Sequence, residues 1–260
     1  MAKIGGDPLI ALTIVSVFSG TLGALFIPFL GLPQVEVLPW LALSVIGHTA
    51  YRVFLARAYV EGDLGQVYPL ARGAAPLLVA LLGTIVIDEP LRPETLAGIV
   101  VLSSGIAVMT LRGGRIAAGL GLKSSGYALL TAALIAGYTL VDGLGGRIAA
   151  SPLTYSAWLF LLNGIAIVVI TSAVRGRRLG TTLARYWKPG IVAGAMSSGS
   201  YAIAIWAMTQ APIAVVAALR ETSILFAALI SVAILREPTS PWRAVGGALI
   251  LCGLAVMRLA

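Results

Sequence analysis

The chain has 260 residues, of which 59% are hydrophobic and only 11% are charged. A water-soluble domain averages about 25% charged residues, so this composition excludes a surface that mostly faces water. The formal net charge is +8, but the basic residues lie in short connections between apolar stretches, where an anionic membrane surface retains them. We therefore expect the lipid bilayer, and no nucleic acid, as a partner.

Nine apolar stretches follow one another along the chain. They cover 8–30, 37–57, 67–87, 95–111, 126–146, 153–174, 189–208, 213–235 and 242–257. Most have the ~20 residues that a helix needs to cross the hydrocarbon core, where only internally bonded backbone is tolerated. The first is too long for a cleavable signal peptide, and we expect none. The sequence predicts an all-α, polytopic membrane protein with nine transmembrane helices.

An internal repeat relates the two halves of the chain at an offset of 148 residues. The offset aligns Arg72 with Arg220, Glu89-Pro90 with Glu237-Pro238, Gly98 with Gly246, and Gly105 with Gly253. Such a repeat in a hydrophobic chain is typical of transporters built from two inverted halves. The stretch 126–146 has no counterpart in the first half. We therefore expect a five-plus-five fold that lacks its first helix, with one repeat at 1–112 and the other at 124–260.

The distribution of basic residues predicts the orientation in the membrane. Thirteen of the 18 Lys and Arg residues fall in connections on one side, three fall on the other, and two lie inside apolar stretches. The positive-inside rule makes the first side cytoplasmic. We expect an inner-membrane protein with a cytoplasmic N-terminus and an external C-terminus.

Arg72 lies about one turn into the third apolar stretch. A charge inside a membrane helix costs at least ~2.5 kcal/mol on insertion scales, so it needs a partner or a purpose. Pro76 lacks the N–H that would bond to the carbonyl of Arg72. The segment predicts an interrupted helix at a substrate site. The alternative is an arginine that reaches the membrane interface beside a packing kink.

Arg220 and Glu221 lie two turns into the eighth apolar stretch. Neighbouring helix positions do not face each other, so each side chain needs a partner from another helix, a cavity or a ligand. An ion pair with Asp142 or Glu61 is the structural alternative to binding. Glu221 is also the first candidate for proton coupling.

Weaker signals lie elsewhere in the apolar stretches. His48 could relay protons near neutral pH, although a packed, hydrogen-bonded histidine is the alternative. Asp142 is expected to be solvated at the outer end of its stretch. Glu89-Pro90 predicts a turn that caps the next helix. Gly190-xxx-Gly194 is expected to let helices approach closely. Further side chains that could line a polar cavity are Gln66, Tyr68, Asn163 and Tyr201.

Motifs for catalysis are missing from the sequence. It contains no His-Glu-x-x-His, no Gly-x-Ser-x-Gly and no P-loop, and one His with one Cys excludes a His/Cys metal cluster. We expect no enzyme activity, no catalytic residues, no cofactor and no metal. Uphill transport without a nucleotide site must be secondary.

Two motifs carry a resemblance to a known family. They are Gly62-Asp63-Leu-Gly-Gln-Val-Tyr68-Pro-Leu-Ala-Arg72-Gly-Ala-Ala-Pro76 with Asp88-Glu89-Pro90, and Ala218-Leu-Arg220-Glu221-Thr222-Ser223 with Arg236-Glu237-Pro238. Over essentially its whole length the chain resembles EamA-type members of the drug/metabolite transporter superfamily. The resemblance implies a ten-helix secondary transporter of two inverted five-helix repeats, with a central cavity lined by the helices that hold Arg72, Arg220 and Glu221. The missing first helix and the external C-terminus depart from that pattern.

We interpret the chain as a secondary active transporter that exports a small polar metabolite by alternating access. Two guanidinium groups favour an amino acid or another solute with a carboxylate or phosphate, which arginine binds in bidentate fashion. The expected substrate-binding residues are Arg72, Arg220, Glu221, Tyr68, Gln66, Tyr201 and Asn163, and the expected proton-coupling residues are Glu221 and His48. A lipid or lipid-precursor flippase and a truncated, non-transporting membrane protein remain as alternatives. Coupling to protons and a homodimer are both left open.

Overall fold

The computed structural model describes residues 8–61, 64–109, 122–175, 178–234 and 240–258. The helices are α1 (Pro8–Leu30), α2 (Leu38–Glu61), α3 (Leu64–Val86), α4 (Pro93–Met109), α5 (Leu122–Ile148), α6 (Pro152–Arg175), α7 (Arg178–Arg185), α8 (Trp187–Gln210), α9 (Ile213–Arg220), α10 (Ser223–Ala233) and α11 (Pro241–Arg258). A short 3-10 helix, Val35–Val37, precedes α2. None of the described residues forms a β-strand, in agreement with the predicted all-α class.

Five segments of the described chain are long and apolar enough to cross a membrane. They are Leu9–Leu30, Lys123–Ile148, Pro152–Val174, Trp187–Gln210 and Ile213–Ile230. Two shorter apolar helices, Leu70–Val86 and Pro93–Met109, accompany them. These segments support the polytopic membrane fold, whereas the count of nine and the repeat stay predictions.

Two segments of the chain differ from the prediction. The apolar stretch 213–235 forms two helices, α9 and α10, which are separated at Glu221 and Thr222. The basic segment between the stretches at 153–174 and 189–208, predicted as a connection, contains the short helix α7.

The helices are grouped into two compact units. The first unit comprises the chain up to Ala56 together with Val141–Gln210, and the second comprises Arg57–Leu140 together with Ala211–Ala260. Helices α2 and α5 each contribute to both units. Each unit therefore combines helices from both halves of the sequence. The units contain different helices from the predicted repeats at 1–112 and 124–260, and those repeats stay a prediction.

In the first unit, α1 packs against α6 and α8 at positions without side chains. The backbones of Gly20 and Gly164 face each other, and Gly190 and Gly194 lie against Phe18. The close helix approach predicted for Gly190-xxx-Gly194 is therefore confirmed. An apolar core at one end of the unit is formed by Val37, Leu41, Tyr155, Leu159 and Ile205.

In the second unit, α4 packs against α11 more extensively than any other pair of helices. Gly98 lies opposite Gly253, and Gly105 lies opposite Gly246, so the two helices run antiparallel. The offset of 148 residues carries α4 onto α11. Helices that the sequence predicts to be equivalent thus pack against each other in opposite directions.

Replacing Gly98 by alanine is expected to destabilise the second unit. An added Cβ would lie 2.7 Å from the carbonyl oxygen of Gly253, and backbone cannot yield as a flexible side chain does. Overpacking of this kind costs about 1–3 kcal/mol. The apparent melting temperature of the purified protein should fall. In the control G126A, the added Cβ meets nothing within 4 Å, and the better helix propensity of alanine should leave stability equal or higher. Equal melting temperatures for the two variants would contradict this account of the α4–α11 contact.

Candidate functional site

A buried ion pair joins α3 to the junction of α9 and α10. Arg72 Nε lies 2.9 Å from Glu221 Oε2, and the two side chains are 15% and 5% exposed. Arg72 Nη2 also donates to Ser223 Oγ at 3.5 Å. Of the kinds of partner expected for Glu221, the structure shows one on another helix, and this partner is Arg72. Charges removed from water to this extent are costly unless an opposite charge is close, which the 2.9 Å contact provides.

The helix interruption predicted at Arg72 lies elsewhere. Helix α3 continues from Leu64 to Val86 through Pro76, so that expectation was wrong. The loss of one backbone hydrogen bond at a proline is tolerated in membrane helices, where neighbouring groups compensate. The observed break falls at Glu221 and Thr222, directly after the repeat partner of Arg72.

At the break between α9 and α10 the backbone forms a tighter helical turn and stays hydrogen-bonded. The amides of Glu221 and Thr222 donate to the carbonyls of Ala218 and Leu219 at 3.0 and 3.1 Å. Each bond spans three residues instead of the four of an α-helix, which is the 3-10 pattern. The turn directs Arg220 and Glu221 toward α3 without leaving these amides unpaired.

Charged side chains line a small cavity at this turn. Its lining consists of Arg72, Ala75, Pro76, Val79, Ile135, Thr139, Ala217, Arg220 and Glu221. The volume is about 10 Å³, which holds roughly one water. Arg220 is half-buried there. The cavity as it stands is too small for a metabolite.

The first unit contains a second polar cluster, centred on Asp142 of α5. This carboxylate is fully buried and accepts hydrogen bonds from His48 Nε2 at 2.9 Å, from Tyr155 Oη at 2.9 Å and from Tyr201 Oη. The expectation that Asp142 is solvated was wrong. Because Gly145 has no side chain, the ring of Tyr155 can lie against α5 one turn beyond Asp142.

Asn163 pairs with an arginine in the same unit. Its side chain is buried, and its Oδ1 accepts a hydrogen bond from Arg52 Nη1 at 3.3 Å. His48 and Tyr201 meet edge to face, with ring centroids 5.4 Å apart. Of the predicted site residues, the first unit thus holds His48, Tyr201 and Asn163, while the second holds Arg72, Arg220 and Glu221. The side chains of Gln66 and Tyr68 lie outside the described part of the structure, and their role stays a prediction.

Sequence reasoning missed Tyr155 and Thr139, and it did not include Asp142 among the expected site residues. The available signal was Asp142 itself, because an ionisable residue inside an apolar stretch indicates a functional site by default. Its position near the end of the stretch concealed this. Tyr155 and Thr139 carry no pattern that would distinguish them from other polar residues of membrane helices.

Glu89 caps the N-terminus of α9, where its Oε2 accepts the backbone N–H of Ile213 at 2.9 Å. The sequence predicted a cap for the next helix, α4. The carboxylate suits the positive end of a helix dipole. Helix α9 is therefore held at its start by Glu89 and at its end by the Arg72–Glu221 ion pair. The repeat counterpart Glu237-Pro238 lies outside the described residues.

An apolar groove lies in the first unit among α1, α6 and α8. It has a volume of about 370 Å³ and is lined mainly by Leu22, Phe26, Leu30, Leu153, Phe160 and Ala202. Two serines at its wall, Ser156 and Ser198, donate their hydroxyls to carbonyls of their own helices. The groove thus presents almost no free hydrogen-bonding group.

Comparison with known proteins identifies the family. The sequence model of the EamA-like transporter family matches residues 123–259, just over half of the chain. A solved structure, described only as a crystal structure of a protein, is similar in fold with a TM-score of 0.71 and 20% identity over 97% of this chain and 88% of the other. Among curated proteins, none matches the sequence. The chain belongs to the EamA-like transporter family of the drug/metabolite transporter superfamily, and it is a multi-pass membrane protein.

Proposed function

We propose that the protein is a secondary active transporter that exports a small solute carrying a carboxylate or phosphate. The observation that carries this proposal is the cavity at the α9–α10 turn, where two guanidinium groups and one carboxylate from two helices converge. Arginine binds carboxylates and phosphates through two parallel hydrogen bonds. Charged groups inside a membrane domain commonly mark the path of a substrate.

Ligand binding proceeds by exchange of partners at Arg72. In the closed site Glu221 neutralises Arg72 at 2.9 Å. An incoming carboxylate or phosphate replaces Glu221 as the partner of the Arg72 guanidinium. It also binds the guanidinium of Arg220, which lines the same cavity. Because the cavity holds only about one water, the α9–α10 turn must move to admit the solute. That movement is the opening step of alternating access.

The displaced Glu221 then needs a new counter-charge. The ammonium of an amino acid supplies one directly, whereas a simple carboxylate or a phosphate supplies none, and Glu221 must then take up a proton. The site thus binds an amino acid without taking up a proton. It binds other anions only together with a proton on Glu221. Tyr68 and Gln66, on the same helix as Arg72, are the further residues that we propose contact the solute. A binding role of Tyr201 and Asn163, which lie in the first unit, stays a prediction.

Thermal-shift measurements on the purified full chain test this proposal. The panel contains amino acids, the 2-hydroxy acids of matching carbon skeleton and phosphorylated metabolites, and each hit is followed by flux into proteoliposomes. In R220A, stabilisation by the hit and its flux are expected to fall at least tenfold, because one of two guanidinium groups is lost. The control R258A removes an equal charge from an exposed position at the end of α11 and should behave as the wild type.

Two outcomes would overturn parts of the proposal. Normal flux in R220A, with the protein inserted and monodisperse, would remove the binding role of the arginines. Flux of a hydroxy acid that is unchanged by a collapsed pH gradient would remove proton uptake by Glu221.

A lipid or lipid-precursor flippase is the second candidate. The apolar groove among α1, α6 and α8 favours it, because its volume and nearly apolar lining suit an acyl chain, while the arginines would bind a phosphate headgroup. Proteoliposomes with a fluorescent phospholipid distinguish the two candidates. Protein-dependent loss of dithionite-resistant fluorescence supports the flippase, and its absence alongside flux of a soluble hit rejects it.

A further inference from the structure

We propose that His48 and Asp142 form a proton-binding site in the first unit, built from residues other than those of the Arg72–Glu221 site. Asp142 is fully buried and His48 nearly so. The imidazole Nε2 lies 2.9 Å from the carboxylate. A carboxylate and the one side chain type that exchanges protons near neutral pH thus share a hydrogen bond inside a membrane domain.

The hydrogen bonds around Asp142 suit the ionised carboxylate. All three side-chain partners, His48, Tyr155 and Tyr201, can donate, and together they engage both carboxylate oxygens. With a neutral imidazole, the four side chains together carry one net negative charge. One added proton converts it into a neutral ion pair, which a poorly solvated environment favours. The cluster therefore binds one proton, and the imidazole receives it.

Neighbouring charges oppose the full retention of that proton. Arg52 lies one turn beyond His48 on α2 and donates to Asn163. Arg147 lies five residues beyond Asp142 on α5 and donates to the carbonyl of Met208. On α6 and α8 the groups facing Asp142 are the two tyrosines, and α1 contains no titratable residue. Because Arg52 is one helical turn from His48, its positive charge disfavours a second one on the imidazole. The carboxylate therefore attracts the proton, and the arginine allows its release.

The proton also affects how the helices of this unit are held together. Asp142 and His48 belong to α5 and α2, whereas Tyr155 and Tyr201 belong to α6 and α8. Four helices therefore meet at one carboxylate, whose charge and partners change with the proton. A coupling role for this site rests on the proposed transport function, whereas proton binding itself does not.

The chain has a single histidine, which allows a direct test. The full chain is labelled with ¹⁵N-histidine, purified without a histidine tag in detergent micelles, and its imidazole nitrogen shifts are recorded from about pH 5 to 9. The wild type is expected to give one titration curve. D142N keeps an acceptor oxygen but removes the charge, so the midpoint should move by about one pH unit or more toward lower pH, a tenfold loss of proton affinity. E36Q removes an exposed carboxylate and should leave the midpoint unchanged.

Two results would overturn the proposal: imidazole shifts that stay constant over this range, or a D142N midpoint equal to that of the wild type. If D142N does not elute as a monodisperse species, Y155F and Y201F carry the test. Each removes one donor to Asp142 while keeping both charges, and each should displace the midpoint by less than a full unit relative to E36Q. No displacement in either variant overturns the proposal. The titration needs no transported solute, so its failure leaves the R220A experiment unaffected.

Discussion

The variant R72M is expected to lose about 3–5 kcal/mol of stability, because it leaves the Glu221 carboxylate buried without its 2.9 Å partner. Methionine keeps much of the volume of the arginine stem, so the loss reports the missing charge rather than a cavity. Melting of the purified protein in detergent, at a fixed heating rate because membrane proteins often unfold irreversibly, gives the measurement. The neutral partner variant E221Q should also lose stability, since it removes the carboxylate that neutralises Arg72.

The double variant R72M/E221Q distinguishes an ion pair from two independent side chains. Replacing both partners of a buried pair by neutral groups is often nearly neutral, so the double variant should be more stable than R72M alone. Simple addition of the two single losses would show that the side chains do not depend on each other. The variant R57M, at an exposed position of α2, controls for loss of charge and should lie within about 0.5 kcal/mol of the wild type.

The variant D142L is expected to destabilise the first unit by a similar amount. Leucine has the same branched skeleton as aspartate but accepts no hydrogen bond, so His48, Tyr155 and Tyr201 lose their shared acceptor. Each unsatisfied buried group costs about 1–3 kcal/mol. The same melting experiment, together with the yield of monodisperse protein, measures the effect.

The variant Y155F provides the matched comparison for D142L. Phenylalanine keeps the ring in the core formed with Val37, Leu41, Leu159 and Ile205 and removes only the hydroxyl. The expected loss is about 1.5–3 kcal/mol, the value of one hydrogen bond to a charged group. If Y155F and D142L were equally stable, the interpretation of Asp142 as the centre of the cluster would be wrong.

Sequence reasoning succeeded where hydrophobicity and length decide the outcome. Apolar stretches of membrane length became helices near the predicted bounds, as α1 and α6 show, because backbone in a bilayer has few alternatives. The glycines at 190 and 194 predicted a close helix contact for the same reason, since small residues allow backbones to approach. The arginine motifs also indicated a family that the comparisons confirm.

Sequence reasoning failed where the outcome depends on which helices become neighbours. The need of Glu221 for a partner was readable, but its choice of Arg72 depends on how α3 packs against α9. Asp142 was placed in solvent because only the assembled helices α2, α6 and α8 bury it. The helix break was expected at Pro76 because proline breaks helices. It occurs instead at Glu221 and Thr222, and neither residue is a helix breaker.

The turn between α9 and α10 has a consequence for local dynamics. Its amides, including those of Ile224 and Leu225, which donate to Glu221 and Thr222, are held by 3-10 bonds of poorer geometry than those of the flanking helices. Opening the turn therefore breaks only a few weak hydrogen bonds, and the flanking helices α9 and α10 keep theirs. Weak helical hydrogen bonds of the second unit thus lie beside Arg220 and Glu221. A brief local opening of this turn, rather than unfolding of a helix, is enough to separate Glu221 from Arg72.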